Sequence, residues 1–150
     1  MSPFFLMKNK YSHIKLGLLS LDEGGWHIMM SGRINGKKVC FIVDTGSSRT
    51  VLDKKTVDEF IDIPVVKNAE GKAVTLSKKA IQVDTVKIPE LSFGRTVVAD
   101  FKVVVMDLSG VHDAYAELKL PHIHGIIGSD LLKHLNAVID YGTLMIRLSR

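Results

Sequence analysis

The chain has 150 residues and a mass of 16.6 kDa, which is the size of one domain with its own core. Hydrophobic residues make up 46% and charged residues 24%, a globular composition that argues against disorder. The net charge of +4 is too small to indicate a dedicated nucleic-acid-binding protein. The single cysteine excludes an internal disulfide and a zinc site built from several cysteines, and it favours a reducing, cytoplasmic location.

The N-terminal residues do not predict a membrane or export segment. Every apolar stretch is far shorter than the roughly 20 residues that a membrane-spanning helix needs. The first ten residues contain an apolar patch, but no positive region precedes it and no small-residue cleavage site follows it. We therefore expect no membrane partner, and we expect this terminus to be a flexible arm or an edge strand.

The first half of the chain reads as short strands joined by turns. Residues 26–31 form a strand, Asn35-Gly36 is a strong hairpin signal, and residues 38–43 are nearly all apolar, as in a strand buried on both faces. A turn follows at 44–48, and after Val51-Leu52 the polar residues 53–59 allow a short helical turn. Asp53 at its start is expected to be a solvated acid.

The second half continues this pattern and adds one clear helix. A polar hairpin tip at 67–72 separates two β-prone runs, and strands are predicted at 81–88 and 96–106. A loop is predicted over 107–125, then a helix over 129–135 with Ser129 as its N-cap. Residues 137–140 and 144–148 complete the chain as strands. The fold class is therefore mainly β with one short helix near the C-terminal end.

Asp44 is the candidate catalytic residue. It directly follows the apolar strand and begins the turn Asp44-Thr45-Gly46-Ser47. This placement holds a carboxylate on a rigid element at a pocket wall, where partial burial can shift its pKa. The alternative is an aspartate that only caps the turn through its side chain.

A second motif lies 82 residues further on, where Ile126-Ile127-Gly128 precedes the predicted helix. Together the two motifs, in this order, resemble the retroviral-type (retropepsin-like) aspartic proteases, over about Ile34 to Leu148. The resemblance implies a closed acid-protease β-barrel over residues 34–150, with residues 1–33 as a strand or flexible arm. It also implies that the hairpin at 67–79 is a flap that closes over a bound peptide.

The resemblance implies an aspartic endopeptidase acting on a peptide or protein, with no cofactor and no metal. Two aspartates must share one proton in that mechanism, but this chain has one Asp-Thr-Gly, so the second Asp44 would come from another copy in a homodimer. The implied catalytic residues are Asp44, Thr45 and Gly46, with Ser47 bonded to the catalytic pair. The implied substrate-binding residues are Ser47, Gly71, Ile126, Ile127 and Gly128. The alternative function is a non-catalytic dimerisation or peptide-binding module with the same fold.

Three further features leave alternatives open. The flap region carries more lysines than acids, which fits either a solvated hairpin or a preference for acidic substrates. His122 and His124 alternate in strand spacing near His112, which fits a surface loop or a zinc site. Cys40, inside the apolar strand, is expected to be a small core residue rather than a nucleophile.

Overall fold

The computed structural model describes the backbone of residues 10–73 and 81–149. It describes the side chains of these residues except those of 68–73 and 81–82. The helices are α1 (Lys54–Phe60), α2 (Ser109–Glu117) and α3 (Ser129–His134). The strands are β1 (Tyr11–Lys15), β2 (Gly17–Ser20), β3 (Trp26–Ile34), β4 (Lys37–Val43), β5 (Val51–Asp53), β6 (Val66–Ala73), β7 (Ile81–Phe93), β8 (Thr96–Met106), β9 (Gly125–Ile127), β10 (Val138–Asp140) and β11 (Met145–Ser149).

Six strands close into a barrel, which confirms the predicted fold class. The hydrogen-bonded order runs β3, β4, β9, β5, β8, β7 and returns from β7 to β3. The closing pairs are Arg33 with Ser92 and Ile34 with Leu91. At this seam the backbone of Gly32 lies so close to β7 that a Cβ atom would be 2.7 Å from the Phe93 ring. A larger residue than glycine would therefore separate the two strands that close the barrel.

The barrel interior holds the main hydrophobic core. Phe41 and Phe93 meet edge to face, with ring centroids 6.0 Å apart. Residues from most barrel strands surround them, and the fully buried ones include Ile34, Leu52, Ile88, Leu91 and Ile127. This core keeps the ends of β4 and β9 in fixed positions, and both ends lead directly to the candidate site.

The chain ends form a separate antiparallel sheet in the order β1, β11, β10. Tyr11 to Lys15 pair with Ser149 to Met145, so this part of the N-terminal segment is tied to the C-terminal strand. The proposed boundary between residues 33 and 34 falls inside β3, whose last residue is Ile34. β10 pairs with β11 on one side, and its other edge has no partner strand in the described part of the chain.

Several predicted elements are confirmed. Asn35 and Gly36 form the turn between β3 and β4, with φ angles of 49° and 81°. Such positive angles are what the Asn-Gly turn requires. The buried end of β4 and helix α3 also lie where the sequence placed them, but the N-cap of α3 is Gly128 and not the predicted Ser129, which is the first residue of the helix.

Two predictions about the elements are wrong. Residues 67–72 are not a hairpin tip, because they belong to β6, which pairs with β7. Residues 74–79 of the predicted flap lie outside the described residues. The fold also has more than one clear helix: α1 forms where a short helical turn was expected, and α2 forms inside the predicted loop 107–125. In the described ranges, no helix is long and apolar enough to cross a membrane.

Candidate active site

Asp44 stands where β4 leaves the barrel. The three residues before it, Phe41 to Val43, are buried, whereas Asp44 itself is exposed. Its backbone N–H donates to the Ile127 carbonyl at 2.9 Å, which joins it to β9. Its carboxylate Oδ1 accepts a hydrogen bond of 2.9 Å from the Gly46 N–H. The carboxylate is therefore held at the barrel surface by the turn that follows it.

The two sequence motifs meet because β9 lies between β4 and β5. β9 runs parallel to β4, with Val43 opposite Ile127, and antiparallel to β5. Directly after β9, a Cβ atom on Gly128 would be 2.6 Å from the Arg49 carbonyl oxygen and 2.8 Å from that of Ser47. A glycine at 128 thus lets the second motif pack directly against the loop that carries Asp44.

A buried hydrogen-bond network fixes the far end of this loop. Asp130 Oδ1 accepts bonds from the Thr50 N–H at 2.8 Å and the Thr50 hydroxyl at 2.7 Å. Thr50 Oγ1 in turn accepts the Gly128 N–H at 3.1 Å. Arg49 Nε lies 3.4 Å from Asp130 Oδ2. Sequence reasoning missed Thr50 and Asp130, although a Thr following the Asp-Thr-Gly turn and an acid in the first turn of α3 were visible signals.

A cleft of about 760 Å³ opens beside Asp44. This volume lies within the range of roughly 300–1,000 Å³ that is typical of ligand pockets. Asp44 and Thr45 stand at the β4 end of the cleft, and its walls come from β3, α2 and β9. Its other lining residues include Trp26, His27, Ile42, Val111, Tyr115, Ile126 and Tyr141.

The structure separates the predicted site residues into two groups. Thr45 and Gly46 are exposed beside Asp44, and the half-buried Ile126 lines the cleft. Ile127 is fully buried in the core, so its side chain does not reach the cleft, and its carbonyl instead holds Asp44. Gly128 likewise does not line the cleft, and it packs against the loop that carries Asp44.

The two remaining predicted site residues are Ser47 and Gly71. The Ser47 hydroxyl donates to the Arg49 carbonyl at 2.8 Å, rather than to Asp44 of its own chain. Gly71 lies in β6, where the side chains are outside the described part. Lys67 of the predicted flap lies 3.3 Å from Asp84 Oδ2, so part of the flap charge is paired with an acid of this chain.

His112 on α2 and His122 and His124 near the end of the predicted loop form a cluster of neighbouring rings. The His112 and His122 ring centroids are 4.2 Å apart, and those of His122 and His124 are 5.1 Å apart. His124 Nδ1 accepts the Cys40 N–H at 3.0 Å. Burial, and then the neighbouring His122, lower the pKa of His124. Among the described residues, no group of three or more histidines, cysteines or acids has a geometry that could hold a metal ion.

Two single residues, Cys40 and Asp53, lie near this cluster. Burial raises the pKa of the Cys40 thiol, which disfavours the nucleophilic thiolate. Asp53 is only 2% exposed, so the prediction of a solvated acid is wrong. Its Oδ1 accepts the Leu108 N–H at 3.0 Å, because β5 lies between β8 and β9 and draws its last residue into the interior.

Comparison with known proteins identifies the family. A family model described as aspartyl protease matches residues 30–131, which is more than half of the chain. The chain belongs to the aspartyl protease family. No curated protein matches the sequence significantly.

Solved structures of a retropepsin-like protease and of a retroviral protease-like domain show the same fold. A retropepsin-like aspartic protease from Rickettsia conorii is 16% identical with a TM-score of 0.53, over 92% of this chain and 89% of that one. The retroviral protease-like domain of Ddi1 from Leishmania major is 17% identical with a TM-score of 0.51, over 75% of this chain and 80% of that one. The retropepsin-like resemblance is therefore confirmed at the level of the fold.

Proposed function

We propose that this protein is an aspartic endopeptidase that hydrolyses peptide bonds with two Asp44 carboxylates, one from each of two copies of the chain. The observation that carries the proposal is the position of Asp44. It is exposed at the end of a rigid buried strand, it is oriented by the Gly46 N–H, and it opens onto a cleft. Such a carboxylate can act on water beside a bound peptide.

A second copy is needed because no other described acid stands at the cleft. Asp44 is the one carboxylate among the lining residues that the structure describes. Asp107 and Asp140 cap turns, and hydrogen bonds from the N–H groups of Ser109 and Thr143, respectively, lower the pKa of each carboxyl. Asp84 faces Lys67. These acids are engaged in local structure, so a symmetry-related Asp44 is the natural second member of the pair.

The surface around Asp44 supports such a dimer. Thr45 is exposed and borders a shallow groove of about 370 Å³ that leads to Ala137, the residue before β10. The outer edge of β10 is unpaired in the described part of the chain, and Val138 on it is 47% exposed. Unpaired strand edges are ready sites for pairing with another chain. Two copies that join through β10 would bring the two Thr45-bearing turns toward one axis.

The proposed chemistry follows from placing two carboxylates close together. Like charges at short distance cannot both ionise easily, so the pair shares one proton. The ionised carboxylate takes a proton from water, which attacks the peptide carbonyl, while the protonated carboxyl polarises that carbonyl. The pair then titrates as a unit. We place this activity in the cytoplasm, because the single free cysteine suits a reducing compartment.

Cleavage of a peptide library by purified protein tests the proposal. Asp44→Asn keeps the shape of the side chain but removes the ionisable group, so we expect loss of cleavage with an unchanged fold. Asp58→Asn is the matched control, since Asp58 is exposed on α1 and does not line the cleft. Comparable cleavage by Asp44→Asn would show that another group is catalytic. No cleavage by the wild type would favour a non-catalytic module.

A further inference from the structure

A second groove, of about 480 Å³, crosses the barrel surface over β3, β4 and the end of β7. It shares no lining residue with the cleft beside Asp44. Its volume lies within the range of roughly 300–1,000 Å³ that is typical of ligand pockets. The groove is therefore a candidate binding site that the proposed catalysis does not use.

Strand register places two cations side by side at one end of this groove. Arg33 on β3 lies directly opposite Lys38 on β4, and both are exposed and line the groove. Ile34, the residue after Arg33, is fully buried in the barrel, so Arg33 lies on the outer face of the sheet. Like charges directly opposite each other on a sheet are unfavourable. An anion bound between the two side chains would remove that repulsion.

The chain itself does not neutralise these two cations. Among the described residues, neither Arg33 nor Lys38 forms an ion pair, and no acid lines the groove. Glu90 precedes Ser92 by two residues on β7 but is not part of the lining. Arg33 Nη1 donates to the Gly36 carbonyl at 2.9 Å, which holds the guanidinium near the turn between β3 and β4. A guanidinium has five N–H donors, so this bond leaves others for an anion.

The other end of the groove is polar and neutral. Ser31 lies opposite Cys40, two residues from the Arg33–Lys38 pair and hence roughly 7 Å along the strands. His124 also lines this end, and its Nδ1 accepts the Cys40 N–H at 3.0 Å. Burial, and then His122, lower the pKa of His124, which favours its neutral form. An occupant of the whole groove is therefore charged at one end and uncharged at the other.

We propose that this groove binds a small organic phosphate, with the phosphate group between Arg33 and Lys38 and the uncharged part over Ser31 and Cys40. The planar guanidinium of arginine matches two phosphate oxygens, and the lysine ammonium adds a compact charge. Ser92, opposite Arg33 on β7, lines the groove and supplies a hydroxyl donor. Inorganic phosphate alone would leave the neutral end of the groove unfilled. The proposal does not depend on the catalytic role of Asp44.

A second pair of cations in the same sheet provides a matched control. Lys87 on β7 lies directly opposite Lys102 on β8, and both are exposed. Neither of them lines the groove. Lys102→Gln therefore removes the same charge from the same kind of strand position as Lys38→Gln, without touching the proposed site.

Calorimetric titration of the full chain tests the proposal, in a phosphate-free buffer of about 0.15 M ionic strength that screens long-range attraction. The ligands are ribose 5-phosphate, inorganic phosphate and uncharged ribose. We expect ribose 5-phosphate to bind most tightly, inorganic phosphate more weakly and ribose not at all. Arg33→Gln and Lys38→Gln should each weaken binding of ribose 5-phosphate about tenfold or more, since each removes charge-assisted hydrogen bonds. Lys102→Gln should change it by less than about twofold.

Amide chemical shifts of the wild-type chain keep the test independent of how the variants fold. Titration with ribose 5-phosphate should shift the signals of Ser31, Arg33, Lys38 and Ser92. The proposal is overturned if ribose 5-phosphate shows no saturable binding, if ribose binds equally well, or if Lys102→Gln weakens binding as much as Lys38→Gln. Tighter binding of a phosphoserine peptide than of ribose 5-phosphate would also overturn it, and would assign the groove to a phosphorylated protein.

Discussion

Replacing Thr50 with valine should uncouple the Asp44 loop from helix α3. Thr50 is 1% exposed, and valine has nearly the same shape, so the change removes hydrogen bonds with little loss of packing. Two bonds disappear. The hydroxyl no longer donates to Asp130 Oδ1 at 2.7 Å, and the buried Gly128 N–H loses its acceptor at 3.1 Å.

The size of the effect follows from these two bonds. A hydrogen bond to a charged group contributes about 1.5–3 kcal/mol, and an unsatisfied buried N–H costs about 1–3 kcal/mol. Together they predict that Thr50→Val lowers the free energy of unfolding by roughly 2.5–6 kcal/mol. For a chain of this length each kcal/mol lowers Tm by about 2–4 °C, so the expected loss is about 5–24 °C.

Thr96→Val is the matched control for this measurement. Thr96 is also 1% exposed, but its hydroxyl bonds to neutral partners, Ser12 Oγ at 2.9 Å and the Ser149 carbonyl at 3.2 Å. We expect it to cost only about 1–2 kcal/mol and to leave catalysis unchanged, since Thr96 begins β8 at the contact with the terminal sheet and does not line the cleft. Urea and thermal unfolding at one fixed protein concentration compare the two variants. Equal losses of stability in the two variants would refute the argument that the hydrogen bonds of Thr50 stabilise the fold more than those of Thr96.

Three other predictions concern pH, assembly and metal. The pKa of His124 is lower in the folded state than its ordinary value of 6.5, so the unfolded state binds protons more readily. The contribution of His124 to the free energy of unfolding should therefore be complete above pH 6.5 and should be lost as the pH drops below it. His124→Asn should flatten that fall in urea titrations between pH 7.5 and 5.5, and an unchanged slope would show that His124 does not cause it. Val138→Lys places a charge on the free edge of β10 and should weaken self-association in sedimentation, whereas Val97→Lys, at a similarly exposed position on β8, should not. Removing metal with EDTA should leave cleavage unchanged, since the water is activated by carboxylates. If EDTA abolished cleavage and zinc restored it, the chemistry would instead belong to the cluster of His112, His122 and His124.

The sequence predicted those parts of the fold that depend on local chemistry. The Asn35-Gly36 turn requires positive φ angles at both positions, which these two residues adopt more easily than others do. The buried end of β4 was visible as an unbroken apolar run. The meeting of Asp44 with Ile126 and Ile127 came from the resemblance, not from periodicity, because nothing local links residues 82 positions apart.

The missed features depend on tertiary contacts. Helix α2 buries only Tyr115 of its nine residues, so the i, i+3, i+4 spacing of Val111, Ala114 and Tyr115 marks it only weakly in the sequence. Its N-cap is Leu108, which makes no side-chain capping bond, so the usual start signal is absent as well. Asp53 is buried because β5 has neighbours on both sides, a fact of topology that no three-residue strand reveals.

The central claim is that one active site contains an Asp44 from each of two chains, and mixing wild-type protein with Asp44→Asn tests it most directly. Subunits are exchanged at constant wild-type concentration with increasing amounts of the variant, and cleavage of one peptide is followed. Mixed dimers hold a single carboxylate, so the account predicts that activity falls toward zero as the variant comes into excess. Asp58→Asn serves as the control partner and should leave activity undiminished. Activity that stays constant with excess Asp44→Asn, despite demonstrated subunit exchange, would show that each chain acts alone and would contradict the account.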